Sequence, residues 1–354
     1  MGPGKLVCLM ILAFGLLGFL FIISVVLALI PLYIAKHSGT PLTGSASNSL
    51  TDCQTLTAKF NTTCSSGPVT NIKATTGTNV TCLGLTGTSN STVKIRVQSN
   101  GLPLFCPNIP MLDTFSEQNI DFEVNFNPAV SVNSPIFKPP TQSALDSILC
   151  NISSEMAPPS SSGYFLYSTP ASGGTLAGIS VDGVSIFNVN SANNQDPFYP
   201  STAGPESVDQ CLAHCNPTGA VYHYHIASGC ALNPPSGNIT SCSANTSCSS
   251  SIAAYSISTF TNYKQLTVIG IAKDGHIIYG PYNSDGTKVT KGFDICNGMF
   301  YDKIGNYGYF ATQTFPYITG CFGPGNYPTI TPSCTTNPAS AYTRSYYARL
   351  FTTG

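Results

Sequence analysis

The chain has 354 residues, a formal net charge of −1 and only 8% charged residues, about a third of the share usual in soluble domains. Nucleic acid is excluded as a partner, because neutralising phosphates takes clustered Lys and Arg. One apolar segment can be set aside and enough chain remains for one large or two ordinary cores; so uncharged a surface points to glycans as its source of solubility.

Residues 1–5 form a short tail before an uncharged run from Leu6 to Leu32. As a helix that run would be roughly 40 Å long, more than the ~30 Å hydrocarbon core of a bilayer. A cleavable signal has an apolar region of only about 7–15 residues, so segment 6–34 is expected to be a retained transmembrane signal anchor. That reading makes the membrane a partner, with the amino terminus cytosolic and the main domain extracellular or lumenal. Six Asn-x-Ser/Thr sites, Asn61, Asn79, Asn90, Asn151, Asn238 and Asn245, agree with it and predict N-linked glycans. Cysteine usage agrees too. Of 14 cysteines only Cys8 lies in the apolar run, and no two form a Cys-x-x-Cys pair. Scattered cysteines without zinc spacing read as disulfides in an oxidising compartment.

Residues 35–52 are rich in Ser, Thr and Gly and read as a stalk. Residues 53–170 form an N-terminal β region, in which Val93-Lys94-Ile95-Arg96-Val97 alternates as a half-buried strand. Gln142 to Ile152 is its one expected short helix. A core follows over 171–324 and a C-terminal tail over 325–354. No long amphipathic helix follows the anchor, so the fold is expected to be mostly β, stabilised by disulfides.

The core contains an internal repeat. Gly178-Ile179-Ser180-Val181-Asp182-Gly183-Val184-Ser185-Ile186-Phe187 recurs 92 residues on as Gly270-Ile271-Ala272-Lys273-Asp274-Gly275-His276-Ile277-Ile278-Tyr279. Asp-Gly between two β runs signals a hairpin, whose tight form needs positive φ at both turn residues. Asp209-Gln210-Cys211 precedes Tyr222-His223-Tyr224-His225, as Asp294-Ile295-Cys296 precedes Tyr307-Gly308-Tyr309-Phe310, with 13 residues from Asp to Tyr in both. Each unit then reaches Gly-Cys. We expect a duplicated β unit, about 176–232 and 268–323, with residues 233–262 as an inserted glycosylated loop. The repeat suggests equivalent disulfides, Cys211–Cys230 and Cys296–Cys321.

His223 and His225 stand two apart on a strand, so their rings share one face. Two nitrogens do not make a transition-metal site, which needs three or four donors. The remainder would come from His214, His276, Asp209 or Asp294, with zinc or copper as the ion. The plainer reading is a ladder of half-buried aromatics, each His bonded to a carbonyl. His276, beside a turn and near Lys273, reads more as surface than as ligand. Gly-x-Ser-x-Gly and His-Glu-x-x-His are both absent, so a non-enzyme is expected. The alternative is a structural, adhesive or receptor-like surface glycoprotein with a protein or glycan partner.

Val221-Tyr222-His223-Tyr224-His225, Asp274-Gly275-His276-Ile277-Ile278-Tyr279-Gly280-Pro281-Tyr282, Asp294-Ile295-Cys296-Asn297-Gly298 and Phe315-Pro316-Tyr317-Ile318-Thr319-Gly320-Cys321-Phe322 resemble the YHYH domain family. Gln98-Ser99-Asn100-Gly101-Leu102-Pro103 looks like its early segment, so the resemblance runs from about 92 to 324. It implies a secreted or surface protein and brings no established activity. Bacterial-type members repeat Tyr-His-Tyr-His in the second unit, where this chain has Tyr307-Gly308-Tyr309-Phe310.

Overall fold

The structure is a computed structural model that describes residues 46–61, 79–83, 93–105, 116–129, 176–187, 196–198, 205–216, 220–294, 296–320, 322–323 and 339–341, with 107, 141, 143 and 191 singly. The apolar segment 6–34, the expected helix 142–152 apart from Ser143, Asn90, Asn151, Cys321 and nearly all of the 325–354 tail lie outside these residues. Among the described residues, no helix is long and apolar enough to cross a membrane.

The chain is mostly β. Helix α1 (Leu50–Thr57) is followed by β1 (Asn79–Leu83), β2 (Lys94–Ser99) and β3 (Ile120–Asn125), which form an antiparallel sheet in the order β1-β2-β3. The alternation in β2 works as expected. Ile95 and Val97 are buried, while Lys94 and Arg96 pair with Glu123 and Asp121 on the open face at 2.8 and 2.6 Å. Residues 46–52 of the expected 35–52 stalk are ordered. Ala46 is buried, the Ser47 N–H donates to the Asn306 carboxamide oxygen, and α1 starts in a capping box. In that box Ser49 accepts from the Asp52 N–H and Asp52 accepts from the Ser49 N–H, so two orphan donors of the first turn are satisfied together.

The second sheet has eight strands: β4 (Leu176–Ser180), β5 (Ser185–Phe187), β6 (Ala213–Cys215), β7 (Tyr222–Tyr224), β8 (Val268–Ala272), β9 (Ile277–Tyr279), β10 (Gly298–Phe300) and β11 (Tyr307–Phe310). Their order is β10-β11-β9-β8-β4-β5-β7-β6. The sequence repeat is thus a structural one. In each half a hairpin (β4–β5 or β8–β9) is joined in parallel by the tyrosine strand (β7 or β11), which carries an antiparallel outer strand (β6 or β10). The halves meet where β4 lies antiparallel to β8, with Gly178 opposite Ala272, Ile179 opposite Ile271 and Ser180 opposite Gly270. The two glycines, opposite Ala272 and Ser180, let the backbones close up. A Cβ on Gly178 would stand 2.4 Å from the Ile271 oxygen, and one on Gly270 would stand 2.6 Å from the Ile179 oxygen.

The Asp-Gly turns differ from the expected two-residue form. Only Gly183 and Gly275 take positive φ, both at 88°. Each turn closes through the glycine N–H, Gly183 to the Ser180 carbonyl and Gly275 to the Ala272 carbonyl. The aspartates stay in ordinary backbone conformations because their carboxylates turn inward. Asp182 accepts from the Val184 N–H, and Asp274 from the His276 N–H. The three-stranded sheet leans on both turns: Ser99 Oγ donates to the Gly183 carbonyl and the Asn127 N–H to the Gly275 carbonyl, and the two sheets share one apolar core.

Residues 233–262 are more ordered than a loop. They hold α2 (Thr246–Ser250), capped by Asn245, and α3 (Ile252–Ser258), capped by Ser251, together with the disulfide Cys242–Cys248. This insertion packs behind the first unit, where buried Ser256 donates to the Ala227 carbonyl. Cys211 is bonded to Cys230, the pair that the repeat suggests. Cys296 is also disulfide-bonded.

Candidate metal centre

The tyrosine strands separate two jobs by side-chain parity. Along β7, Tyr222 and Tyr224 point inward and are fully buried. The Tyr222 hydroxyl donates to Asp209 at 2.5 Å and the Tyr224 hydroxyl to Asp182 at 3.0 Å. Along β11 the same contacts recur, Tyr307 to Asp294 at 2.6 Å and Tyr309 to Asp274 at 2.5 Å. The other oxygen of Asp209 accepts from the Cys211 and Ala213 N–H groups, as that of Asp294 does from Cys296 and Gly298. Each Asp therefore pins its unit's outer hairpin to a tyrosine. Burial pushes the Asp209 carboxyl up to about 7, against the Tyr222 hydroxyl and the backbone donors.

The opposite parity carries the histidines. His223 faces His214 across the β6–β7 pair, and His225 follows at the strand end. The three imidazoles form a cluster whose candidate ligand atoms all lie within 4.8 Å of one another. His223 Nε2 is 3.1 Å from His225 Nε2. The Nδ1 of His223 lies 2.9 Å from the Val221 carbonyl, which can only accept. Nδ1 is thus the protonated nitrogen, and the Nε2 lone pair is left facing the cluster. Phe187 stacks on the His223 ring at 3.9 Å between centroids and fixes its plane. Burial holds His223 well below the ordinary imidazole range, and burial with the charge of His225 brings His214 down to about 3. His214 and His223 are therefore neutral, the form in which imidazole binds a metal.

A fourth group, absent from the ligands expected from sequence, completes the surroundings. Glu206 Oε2 lies 3.2 Å from His214 Nε2 and 3.7 Å from His225 Nε2. The shorter approach is not aligned as a hydrogen bond: Glu206 Oε2 and both ring nitrogens of His214 are buried without a hydrogen-bond partner. Burial first, then the charge of Asp196, pushes the Glu206 carboxyl up to about 7.

The other expected ligands do not reach this cluster. Asp209 and Asp294 are spent on Tyr222 and Tyr307. His276 sits in the second unit and is not at the surface. It is fully buried, with Nδ1 2.9 Å from Asp274 Oδ2 and Nε2 3.1 Å from the Pro128 carbonyl, because the N-terminal region covers its turn. Of the sequons, Asn61 and Asn238 are exposed, Asn79 lies in β1, and Asn245 caps α2.

Residues 156–293 match the family model described as YHYH protein. This stretch of the chain is a YHYH domain. The matched region includes all three clustered histidines and Glu206 and stops short of Asp294, so it is narrower than the 92–324 resemblance read from motifs. No curated protein and no solved structure matches the chain. In the YHYH domain the motif's two residue types thus have separate work: its tyrosines hold buried carboxylates, and its histidines form the cluster.

Proposed function

We propose that this YHYH domain is a metal-binding module whose transition-metal centre is held by His214, His223 and His225. The observation that carries the reading is His214, a buried imidazole with neither nitrogen hydrogen-bonded. Each such buried atom costs about 1–3 kcal/mol when left unpaired, and a cation would relieve that cost at several atoms together. The ring of His223, oriented by the Val221 carbonyl and by Phe187, is prepared in the way that partners behind the ligands prepare metal-binding histidines. Three imidazole donors suit zinc or copper.

The same reading places the domain outside the cytosol on an N-terminal membrane anchor, with N-linked glycans. It is supported by the uncharged run Leu6 to Leu32, by the six sequons and by the two disulfides in and around the first unit.

Elemental analysis of the purified chain tests the metal. The expected result is one equivalent of zinc or copper, retained through dialysis and lost in a His223→Ala/His225→Ala double variant. A parent chain that binds neither ion, and whose melting temperature neither ion raises, would end the proposal.

A further inference from the structure

We propose that Glu206 is the fourth ligand, so that the centre is a closed tetrahedral site of three nitrogens and one oxygen that selects a zinc-like divalent cation. The inference rests on the three-histidine reading above and adds the residue, the coordination number and the class of ion.

Distances are the first support. Four donors about 2.0–2.1 Å from a tetrahedral ion stand about 3.3 Å from one another. Three of the six edges are 3.1 Å between His223 and His225, 3.2 Å between His214 and Glu206, and 3.7 Å between His225 and Glu206, and the three imidazole donors all lie within 4.8 Å of one another. The misaligned carboxylate–imidazole approach is poor as a hydrogen bond and ordinary as one edge of a coordination shell.

The second support is that Glu206 is held in place. Its N–H donates to the Pro197 carbonyl at 2.7 Å. Two residues on, Val208 is buried against Leu212, Ile226, Phe315 and Tyr317, and its carbonyl accepts from the Cys242 N–H at 2.9 Å. Asp209 then locks the turn into β6. The carboxylate therefore reaches the cluster from a fixed base.

The internal repeat is the third. Aligned without a gap on Asp209 and Asp294, the counterparts of His214, His223 and His225 are Met299, Gly308 and Phe310, and the counterpart of Glu206 is Lys291. The residues that build the scaffold (the aspartates, the tyrosines and Cys211 with Cys296) recur in both units. All four proposed donors change together, and the acid gives way to a cation. A Glu that served only the local fold would have no reason to leave with the histidines.

The donor set also narrows the ion. A carboxylate is a hard, anionic ligand and disfavours copper(I), which prefers sulfur. Three imidazoles disfavour magnesium and calcium, which take oxygen. With four protein donors no position is open for substrate, so the site binds and fastens rather than catalyses.

Cobalt(II) titration of the purified full chain is the test, read by visible absorption, with zinc affinity measured by competition against a chelating dye. The parent is expected to show the intense bands of four-coordinate cobalt. Glu206→Gln, nearly the same shape, should weaken zinc binding by about 100-fold or more, since even partners behind the ligands are worth 10–100-fold, and should alter the cobalt spectrum. In chelator the variant should melt no lower than the parent, an outcome that a purely structural Glu would not give. If Glu206→Gln keeps the parent's zinc affinity and cobalt spectrum while His223→Ala loses binding, Glu206 is not a ligand and the three-histidine reading survives. If the parent itself binds no ion, both fall. Should Glu206→Gln not fold, Glu206→Asp is read by the same two criteria, an unchanged affinity and spectrum again overturning the proposal.

Discussion

A buried carboxylate bonded to a tyrosine is the residue-scale unit on which both halves of the large sheet are built. Its consequence is a pH-dependent stability. The folded-state value of Asp209 is raised to about 7, above an ordinary carboxylate value of 3.8. The native state therefore holds a proton that the unfolded chain has released, and stability falls as pH rises where that is so. The contribution is fully present below about pH 4 and is lost by about pH 7. Urea unfolding in chelator should show the parent losing stability across that window, and Asp209→Asn should flatten the slope. Removing a hydroxyl acts in the same network: Tyr222→Phe takes a donor from a buried carboxylate and should cost about 1.5–3 kcal/mol in the same assay. The tyrosine spacing and the histidine parity were legible from sequence because a strand fixes them locally. Glu206 was not. It lies in a Pro-Ser stretch with no periodicity, and the turn over 209–212, with Leu212 at φ 66°, brings it to the cluster. The one sequence signal was its scarcity in a chain so poor in charge. His276 was misread because its burial depends on Pro128, 148 residues away, and no local pattern reports a cover that distant.

At the scale of elements, the contact between β4 and β8 is the joint of the molecule. It needs glycine at both crossing points, since a methyl group at Gly178 would fall 2.4 Å from a backbone oxygen. Gly178→Ala should destabilise the protein by about 1–3 kcal/mol or more, the usual cost of overpacking a core, with Gly270→Ala matching it. Unequal losses, measured by denaturant unfolding, would mean that the two halves do not share this joint evenly. The hairpins flanking it were legible because Asp-Gly is a local signal, although the turns use a single left-handed residue each. The helices α2 and α3 were not. They are short and Ser/Ala-rich, so they have no apolar stripe to read; only their caps, Asn245 and Ser251, marked them.

For the whole molecule, the two units have the same scaffold and different contents. Where His223 has room in the first unit, the second has Gly308, and the Tyr279 ring lies against it. A Cβ there would stand 3.0 Å from that ring. Tyr279 in turn stacks on Phe310 and shares a hydroxyl contact of 2.8 Å with Tyr301. The second unit is closed by aromatic packing where the first holds imidazoles. Metal titration of the full chain should accordingly saturate at one equivalent, and a second equivalent of similar affinity would contradict the assignment of all ligands to one unit. The repeat itself was visible in the sequence, and so was the loss of the second pair of histidines. The aromatic filling was not, because it depends on side chains from three separate strands and loops.

The antiparallel joint has one further consequence. A half-turn exchanges Gly178 with Gly270 and Ile179 with Ile271, so the edge that each unit offers is complementary to itself. A chain with a single unit would present a strand able to dock on its own copy, and two such chains would rebuild the eight-stranded sheet as a homodimer. This protein carries its dimer partner on the same chain. A partner supplied at fixed one-to-one stoichiometry has no need to repeat the chemistry of its mate, and the second unit is free to be scaffold alone.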